Sequence, residues 1–206
     1  IILATTINSE DDPLVEYAEK HQIAYFRGSE HDVLERYYKA ATEYNLQHIL
    51  RITGDCPLVD PMICDQIINL YHEEQADVVG TGPTFAEGLD CEVFSLSALT
   101  DAYQKAKLKS EREHVSLFLY NRKDHYKVIE VQNETDDSQY RFTLDEPEDF
   151  QVIEAIINGV SLKPSEIFTA EKIKFFMDQH PEIFRLNNHI IRNEGLLISL
   201  EKDGSA

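Results

Sequence analysis

The stretch Ile49-Leu50-Arg51-Ile52-Thr53-Gly54-Asp55-Cys56-Pro57-Leu58-Val59-Asp60-Pro61 constrains the fold more than any other part of the chain. Its first residues predict a short buried strand. Gly54 then turns the chain and leaves one carboxylate, Asp55, at the strand's C-terminal end. Asp60 is a natural N-cap and Pro61 suits the first helical position, so a helix follows at once. In open α/β sheets, ligands bind in the crevice beyond the carboxyl ends of the strands. Asp55 is therefore placed where chemistry is expected.

The flanking sequence repeats the alternation. Ile1–Thr6 predicts a buried strand, and Asn8–Pro13 a turn that opens a helix. Asp11 or Asp12 would cap that helix, with Leu14, Tyr17 and Ala18 as its apolar face. Ile23–Phe26 is a short strand, and Val33, Leu34, Tyr37, Tyr38 and Ala41 repeat at helical spacing after it. His48–Thr53 leads to the opening motif, whose helix turns Ile63, Ile67, Leu70 and Tyr71 inward, and Ala76–Thr81 is the next strand. Strand and helix in alternation argue for a mostly parallel sheet with right-handed crossovers.

The rhythm then changes. Gly82–Asp90 is a long loop, followed by a strand at Cys91–Phe94 and helical stretches at Leu96–Ala106 and Glu111–Asn121. Tyr126–Val131 and Tyr140–Leu144 predict strands around an acidic turn at Asn133–Asp137. Asp145–Asp149 opens a helix with Phe150, Ile153, Ile156 and Ile157 on its apolar face. From Ser161 the pattern is helical, with Ile173, Phe176 and Met177 on one face. The organisation expected is an α/β domain over residues 1–160, with a strand and helix insertion after Thr81. A helical extension at 161–206 packs on the same domain.

Composition sets bounds on function. The 206 residues carry a formal net charge of -19, which disfavours nonspecific binding to nucleic acid or anionic lipid. No apolar run approaches the roughly 20 residues needed to span a bilayer, so no membrane partner is expected. Cys56, Cys64 and Cys91 have no CxxC spacing. Buried thiols in a reducing cytoplasm are the simplest reading. The chain opens on Ile1 inside an apolar run, and we expect N-terminal residues to precede it.

Several residues are candidates for chemistry. Thr53-Gly54-Asp55 and Thr143-Leu144-Asp145 each deliver a carboxylate at a strand end. Two such oxygen ligands, with positions left for phosphate and water, suit Mg²⁺. The alternative makes Asp55 a turn residue and Asp145 the cap of the helix at Pro147. Asp90 and Glu92 share a strand face, which could line a pocket or meet solvent. Arg51 lies in an apolar strand and must reach a carboxylate of the fold or a bound anion. Arg112 and His114 are placed at a helix start, which favours anions, although a capping or surface histidine is equally served. Ser29, Glu30, Asp32 and Arg36 form a helix N-terminus with an i,i+4 Asp32–Arg36 pair. No Walker A, GxSxG, HExxH or GxGxxG motif is present.

The segments FRGSEHDVLERYY (26–38), RITGDCPLVDP (51–61), GLDCEVFS (88–95), REHV (112–115), LDEPEDF (144–150) and RNEGLL (192–197) appear in this order. Together they resemble the spore coat polysaccharide biosynthesis protein F family, which is similar to the acylneuraminate and 3-deoxy-manno-octulosonate cytidylyltransferases. The resemblance implies the three-layer, Rossmann-like fold of nucleotide-diphospho-sugar transferases. It also implies transfer of CMP from CTP to a sugar acid, with release of pyrophosphate, in the cytoplasm. By the same resemblance Asp55 and Asp145 bind Mg²⁺. Arg51, Ser29, Asp32 and Arg36 line the nucleotide, and Asp90, Glu92, Arg112 and His114 line the sugar. A homodimer through Gly82–Leu119 is compatible with it. Such enzymes begin with a strand and a Gly/Arg/Lys loop that holds the triphosphate, and the resemblance leads us to expect that the sequence from Ile1 lacks this element. Two other functions are weighed against this one. The first is a metal-dependent glycosyltransferase centred on Asp90-Cys91-Glu92. The second is a non-catalytic nucleotide-binding or assembly domain.

Overall fold

A computed structural model describes residues 1–160 and 166–204. Contacts divide the chain into two compact units. Unit 1 comprises residues 1–49, 94–128 and the segment from Glu194 onward, and unit 2 comprises 50–93 and 129–193. The architecture is α/β and rich in parallel pairing.

Unit 1 opens with β1 (Ile2–Thr6), α1 (Asp12–Lys20), β2 (Ala24–Gly28) and α2 (Val33–Glu43). β1 and β2 pair in parallel, with Ile2 opposite Ala24 and Thr6 opposite Gly28. That is the crossover unit the alternation predicts. The end of β1 is fixed by Asp11, whose carboxylate accepts from Thr5 Oγ1 (2.6 Å), Thr6 N (2.8 Å) and Thr6 Oγ1 (2.6 Å). Asp11 does occupy the cap position of α1, but its side chain makes no capping bond. The predicted inner face of α1 also shifts by one position. Val15 and Ala18 are buried, whereas Leu14 and Tyr17 are largely exposed.

Four strands form a second sheet in the order β3-β5-β4-β6. They are β3 (His48–Arg51), β4 (Val78–Thr81), β5 (Glu92–Ser95) and β6 (Val128–Val131). Between β5 and β6, unit 1 carries α4 (Leu96–Lys105), α5 (Lys109–Glu113) and α6 (Leu117–Tyr120). The single helix predicted over 111–121 is thus two. Val115 breaks it by adopting φ +27, a sterically costly value for a β-branched residue, and is completely buried there.

Unit 2 is built on α3 (Pro61–Glu74), as the opening motif predicts. Asp60 accepts from Met62 N at 2.8 Å, and Pro61 starts the helix. Ile63, Cys64, Ile67 and Tyr71 enter the unit's core with Val79, Phe85, Leu89, Val93 and Phe142. α7 (Pro147–Gly159) and α8 (Ala170–Gln179) add Val152, Ile153, Ile156, Ile173 and Met177, and Ile183, Phe184 and Leu186 of α9 (Pro181–Asn187) pack against them. Phe150 and Ile157, expected inside, are about half exposed, and Val152 takes the inner position. Residues 161–165 and 205–206 of the predicted helical extension lie outside the described residues. Its remainder forms α8, α9 and α10 (Glu194–Gly204).

Tyr140–Leu144 was expected as a full strand, and the correction matters for the site. The segment is extended, but it pairs only through a parallel bridge between Arg141 and Glu87. The partner strand cannot continue because Gly88 turns away at φ +90, where a Cβ would meet the Phe142 carbonyl carbon at 2.3 Å.

Two outcomes test these placements. Asp60 is buried, and its second oxygen accepts from Ala170 N at 2.7 Å, so one carboxylate joins the starts of α3 and α8. Asp60→Ala is expected to lower unfolding stability in urea by about 1–2 kcal/mol or more, with Asp60→Asn retaining part of it. The hydroxyls of Thr5 and Thr6 hold the Asp11 carboxyl down at about 2, below its ordinary 3.8. A depressed carboxyl stabilises the fold above the unfolded value, and the contribution disappears as the pH falls through the folded one. Asp11→Asn should therefore flatten the acid-side loss of stability between pH 3.8 and about 2.

Candidate functional site

Asp55, in the turn after β3, and Asp145, after the extended segment 140–144, converge in unit 2. After β3 the chain turns through Thr53–Cys56, with Cys56 N donating to Thr53 O at 3.2 Å. The Thr53 hydroxyl lies 3.0 Å from Cys56 Sγ. Burial pushes the Cys56 thiol up to about 12, partly opposed by that contact with Thr53, so it stays protonated at neutral pH. Leu144 N donates to Asp55 O at 2.8 Å, which pins the second strand end against the first. Between them lies the buried Thr143, whose Oγ1 is 3.2 Å from Asp55 Oδ2 and 3.3 Å from Asp145 Oδ2. Asp55 and Asp145 are thus brought to the two sides of one hydroxyl group.

Asp145 does not cap α7, contrary to the alternative weighed from the sequence. Glu146 holds that position and forms a capping box with Asp149. The Asp145 carboxylate instead accepts from Arg141 Nη2 at 2.8 Å. Arg141 is buried and faces three carboxylates. Its Nη1 donates to Glu87 at 2.8 Å, while Nε and Nη2 donate to Asp149 at 2.9 and 3.0 Å. Asn187 Nδ2 donates to Asp149 Oδ1 (2.9 Å) and to Arg141 O (3.0 Å), and Asn193 N donates to Glu87 (2.9 Å). Burial alone would pull the Arg141 pKa down, but the bonds to Asp149 and the charge of Glu87 reverse this and raise it. Desolvation likewise opposes the Asp149 charge, yet Arg141 and Asn187 hold its pKa below the ordinary value.

Of these groups, Asp55 and Asp145 have the oxygen-donor chemistry that a hard divalent cation would take. Three carboxylates share one guanidinium, and Asp55 adds a fourth negative charge beside them. Magnesium characteristically takes one or two protein carboxylates and completes its shell with water and substrate oxygens. Asp145 is half exposed, and its Oδ1 accepts no hydrogen bond among the described residues. No group of three or more His, Cys, Asp or Glu side chains with metal-binding geometry occurs among those residues, so any ion would rest on the Asp55–Asp145 pair.

The other unit 2 candidates face different partners. Arg51 Nη1 pairs with Glu92 at 2.9 Å, the in-fold carboxylate that an arginine in an apolar strand requires. Asp90 accepts from Gly88 N at 3.0 Å, and its Oδ1 lies 3.6 Å from Arg192 Nη2. Burial raises the Asp90 carboxyl pKa, with Gly88 and Arg192 opposing. Asp90 and Glu92 therefore make separate contacts within the unit.

In unit 1, Ser29, Asp32, Arg36 and Arg112 form a local network. Ser29 Oγ accepts from Asp32 N (3.0 Å), and Asp32 Oδ1 caps α2 through Glu35 N (2.9 Å). The i,i+4 pair expected between Asp32 and Arg36 is absent. Asp32 Oδ2 accepts from Arg112 Nε at 2.9 Å, while Arg36 Nη1 donates to Ser29 O at 2.7 Å. Arg112 also donates to Tyr103 O (2.7 Å) and lies over the Tyr103 ring, which stacks on Tyr38. Arg112 sits in the last turn of α5 and His114 at its C-cap. The anion-favouring helix start expected there is therefore not formed by these two residues.

Sequence reasoning missed Arg141, Thr143, Glu87, Asp149 and Asn187. A signal existed for one of them. Arg141 stands between Tyr140 and Phe142, the same apolar setting that singled out Arg51.

A Cytidylyltransferase family model matches residues 1–187. The uncharacterized protein MJ1063 of Methanocaldococcus jannaschii is 34% identical over 192 residues, covering 92% of this chain and 77% of that protein. The spore coat polysaccharide biosynthesis protein SpsF of Bacillus subtilis is 28% identical, covering 88% of this chain and 76% of its own length. Among solved structures, a cytidylyltransferase from Leptospira borgpetersenii superposes with a TM-score of 0.83 at 33% identity, over 93% of this chain and 80% of that one. A Desulfovibrio desulfuricans structure described as a nucleotide-diphospho-sugar transferase shares the fold, with a TM-score of 0.51 at 14% identity over 88% and 74% of the two chains. The chain therefore belongs to the cytidylyltransferase family and is a nucleotidyltransferase.

Proposed function

We propose that this protein transfers CMP from CTP to a sugar acid and releases pyrophosphate, with Asp55 and Asp145 as ligands of Mg²⁺. The observation that carries this reading is the convergence of those two carboxylates on Thr143. In the reaction a sugar hydroxyl attacks the α-phosphorus of CTP. A new P–O bond forms, the bond to the β-phosphate oxygen breaks, and the hydroxyl proton passes to solvent or a base. Catalysis of such a displacement is mostly in-line positioning and neutralisation of phosphate charge. A bound divalent ion supplies that neutralisation.

The residues do the holding. Asp55 is fixed by a backbone bond from Leu144 and by the Thr143 hydroxyl, and Asp145 by Arg141, so neither carboxylate must reorganise to bind. The family resemblance adds Arg51, Ser29, Asp32 and Arg36 as nucleotide contacts and Asp90, Glu92, Arg112 and His114 as sugar contacts. It also favours a homodimer through Gly82–Leu119. A role in surface or spore-coat polysaccharide synthesis is supported by the likeness to the Bacillus subtilis protein. A cytoplasmic setting accords with three buried free thiols. No helix among the described residues is long and apolar enough to cross a membrane.

Pyrophosphate release from CTP, Mg²⁺ and a panel of sugar acids tests the reading. Turnover is expected with at least one acid, and Asp55→Asn and Asp145→Asn should each reduce it by ~100-fold or more in protein that remains folded by circular dichroism. UDP release from a UDP-sugar, or turnover indifferent to both substitutions, would overturn it.

A further inference from the structure

The carboxylate pair raises a question that the proposed reaction leaves open: what fixes two like charges side by side before any cation is present. We propose that Thr143 is the positioning residue for divalent-cation binding, acting as a shared hydroxyl donor between Asp55 and Asp145 with Arg141 as its fixed backing. The inference rests on the assignment of Asp55 and Asp145 as cation ligands.

A threonine hydroxyl has one proton and can donate to one acceptor at a time. Thr143 Oγ1 has three acceptors within reach: Asp55 Oδ2 at 3.2 Å, Asp145 Oδ2 at 3.3 Å and Asp55 O at 3.3 Å. One donor thus serves both carboxylates, and each must keep its oxygen turned toward Thr143 to share in it. On Asp145 the same oxygen, Oδ2, also accepts from Arg141 Nη2 at 2.8 Å. Both donors engage Oδ2 and leave Oδ1 without a hydrogen bond among the described residues. The carboxylate is thereby oriented, with one oxygen held and the other presented. Donors behind the ligating groups commonly set ligand orientation, and their loss weakens metal binding by 10–100-fold as a rough guide.

Thr143 is placed for this by the main chain. It follows Phe142, whose N donates to Glu87 O at 2.7 Å, and precedes Leu144, whose N donates to Asp55 O at 2.8 Å. Backbone bonds on both sides hold the extended segment, so the hydroxyl does not drift when the carboxylates move. Arg141 cannot be probed in the same way. Its removal would strand Glu87 and Asp149 as buried charges, and the fold itself would fail. Thr143→Val keeps the shape and removes the donor, and Thr143→Ser restores the donor without the methyl group.

The experiment is a titration of the intact protein with Mn²⁺ alone, with free Mn²⁺ followed by electron paramagnetic resonance. Thermal midpoints and near-ultraviolet circular dichroism of each variant are recorded alongside. Wild type is expected to bind Mn²⁺ and Asp145→Asn to lose it. Thr143→Val should bind roughly 10–100-fold more weakly, and Thr143→Ser should stay within a few fold of wild type. Wild-type affinity in a folded Thr143→Val, with binding lost in Asp145→Asn, would overturn the role of Thr143 and leave the cation ligands standing. Binding that is absent in wild type, or indifferent to Asp145→Asn, would overturn the ligand assignment and the role of Thr143 with it.

Discussion

The buried guanidinium of Arg141 is the interaction on which unit 2 depends. Removing a guanidinium from water is costly, and an uncompensated one would not be tolerated at a position as buried as that of Arg141. The cost is offset by Glu87 and Asp149, both buried, and by Asp145 at the surface. Each of these carboxylates then fixes something else. Asp149 accepts from Asp145 N and Glu146 N and so starts α7, Glu87 accepts from Asn193 N, and Asn187 closes the ring from α9. One cation therefore sets the loop before β5, the start of a long helix and the end of a short one. Asp145 is the single member of the group that reaches solvent, so the network that stabilises the unit also delivers a carboxylate to its edge.

That arrangement explains what the sequence could reveal. Asp60 and Pro61 were legible because capping is local: residue type and position suffice, and the bonds run to Met62 and the adjoining turn. The alternation of strand and helix was legible for the same reason. The Arg141 network was not, since Glu87 is 54 residues away and Asn187 is 46 away from it. No periodicity encodes such pairings. The shift of the inner faces in α1 and α7 has a related cause. Leu14, Tyr17, Phe150 and Ile157 fit an apolar stripe by spacing, but tertiary packing selects Val15 and Val152 in their place.

Unit 1 shows the opposite relation between motif and role. Asp32 and Arg36 read as neighbours on one helix, yet Asp32 spends one oxygen on the cap of α2 and the other on Arg112, 80 residues away. Arg36 turns back to Ser29 O, and burial lowers its guanidinium pKa. Residues expected to contact ligands here already hold α2 and α5 in place. Structural commitment does not preclude ligand contact, but it changes what a substitution reports: loss of Asp32 or Arg112 disturbs two helices before it disturbs a substrate.

Charge gives the last step. A chain of net charge -19 that handles a triphosphate must supply positive charge locally. In unit 2 the arginines around the carboxylate pair are already engaged: Arg51 with Glu92, Arg192 with Asp90 and Phe85 O, and Arg141 with three carboxylates. Their charge is spent within the fold, and carboxylates still outnumber them. On the proposed reading, a divalent cation on Asp55 and Asp145 reverses the local sign there. The same acidity that disfavours nucleic acid then becomes the condition for binding metal and, through it, phosphate.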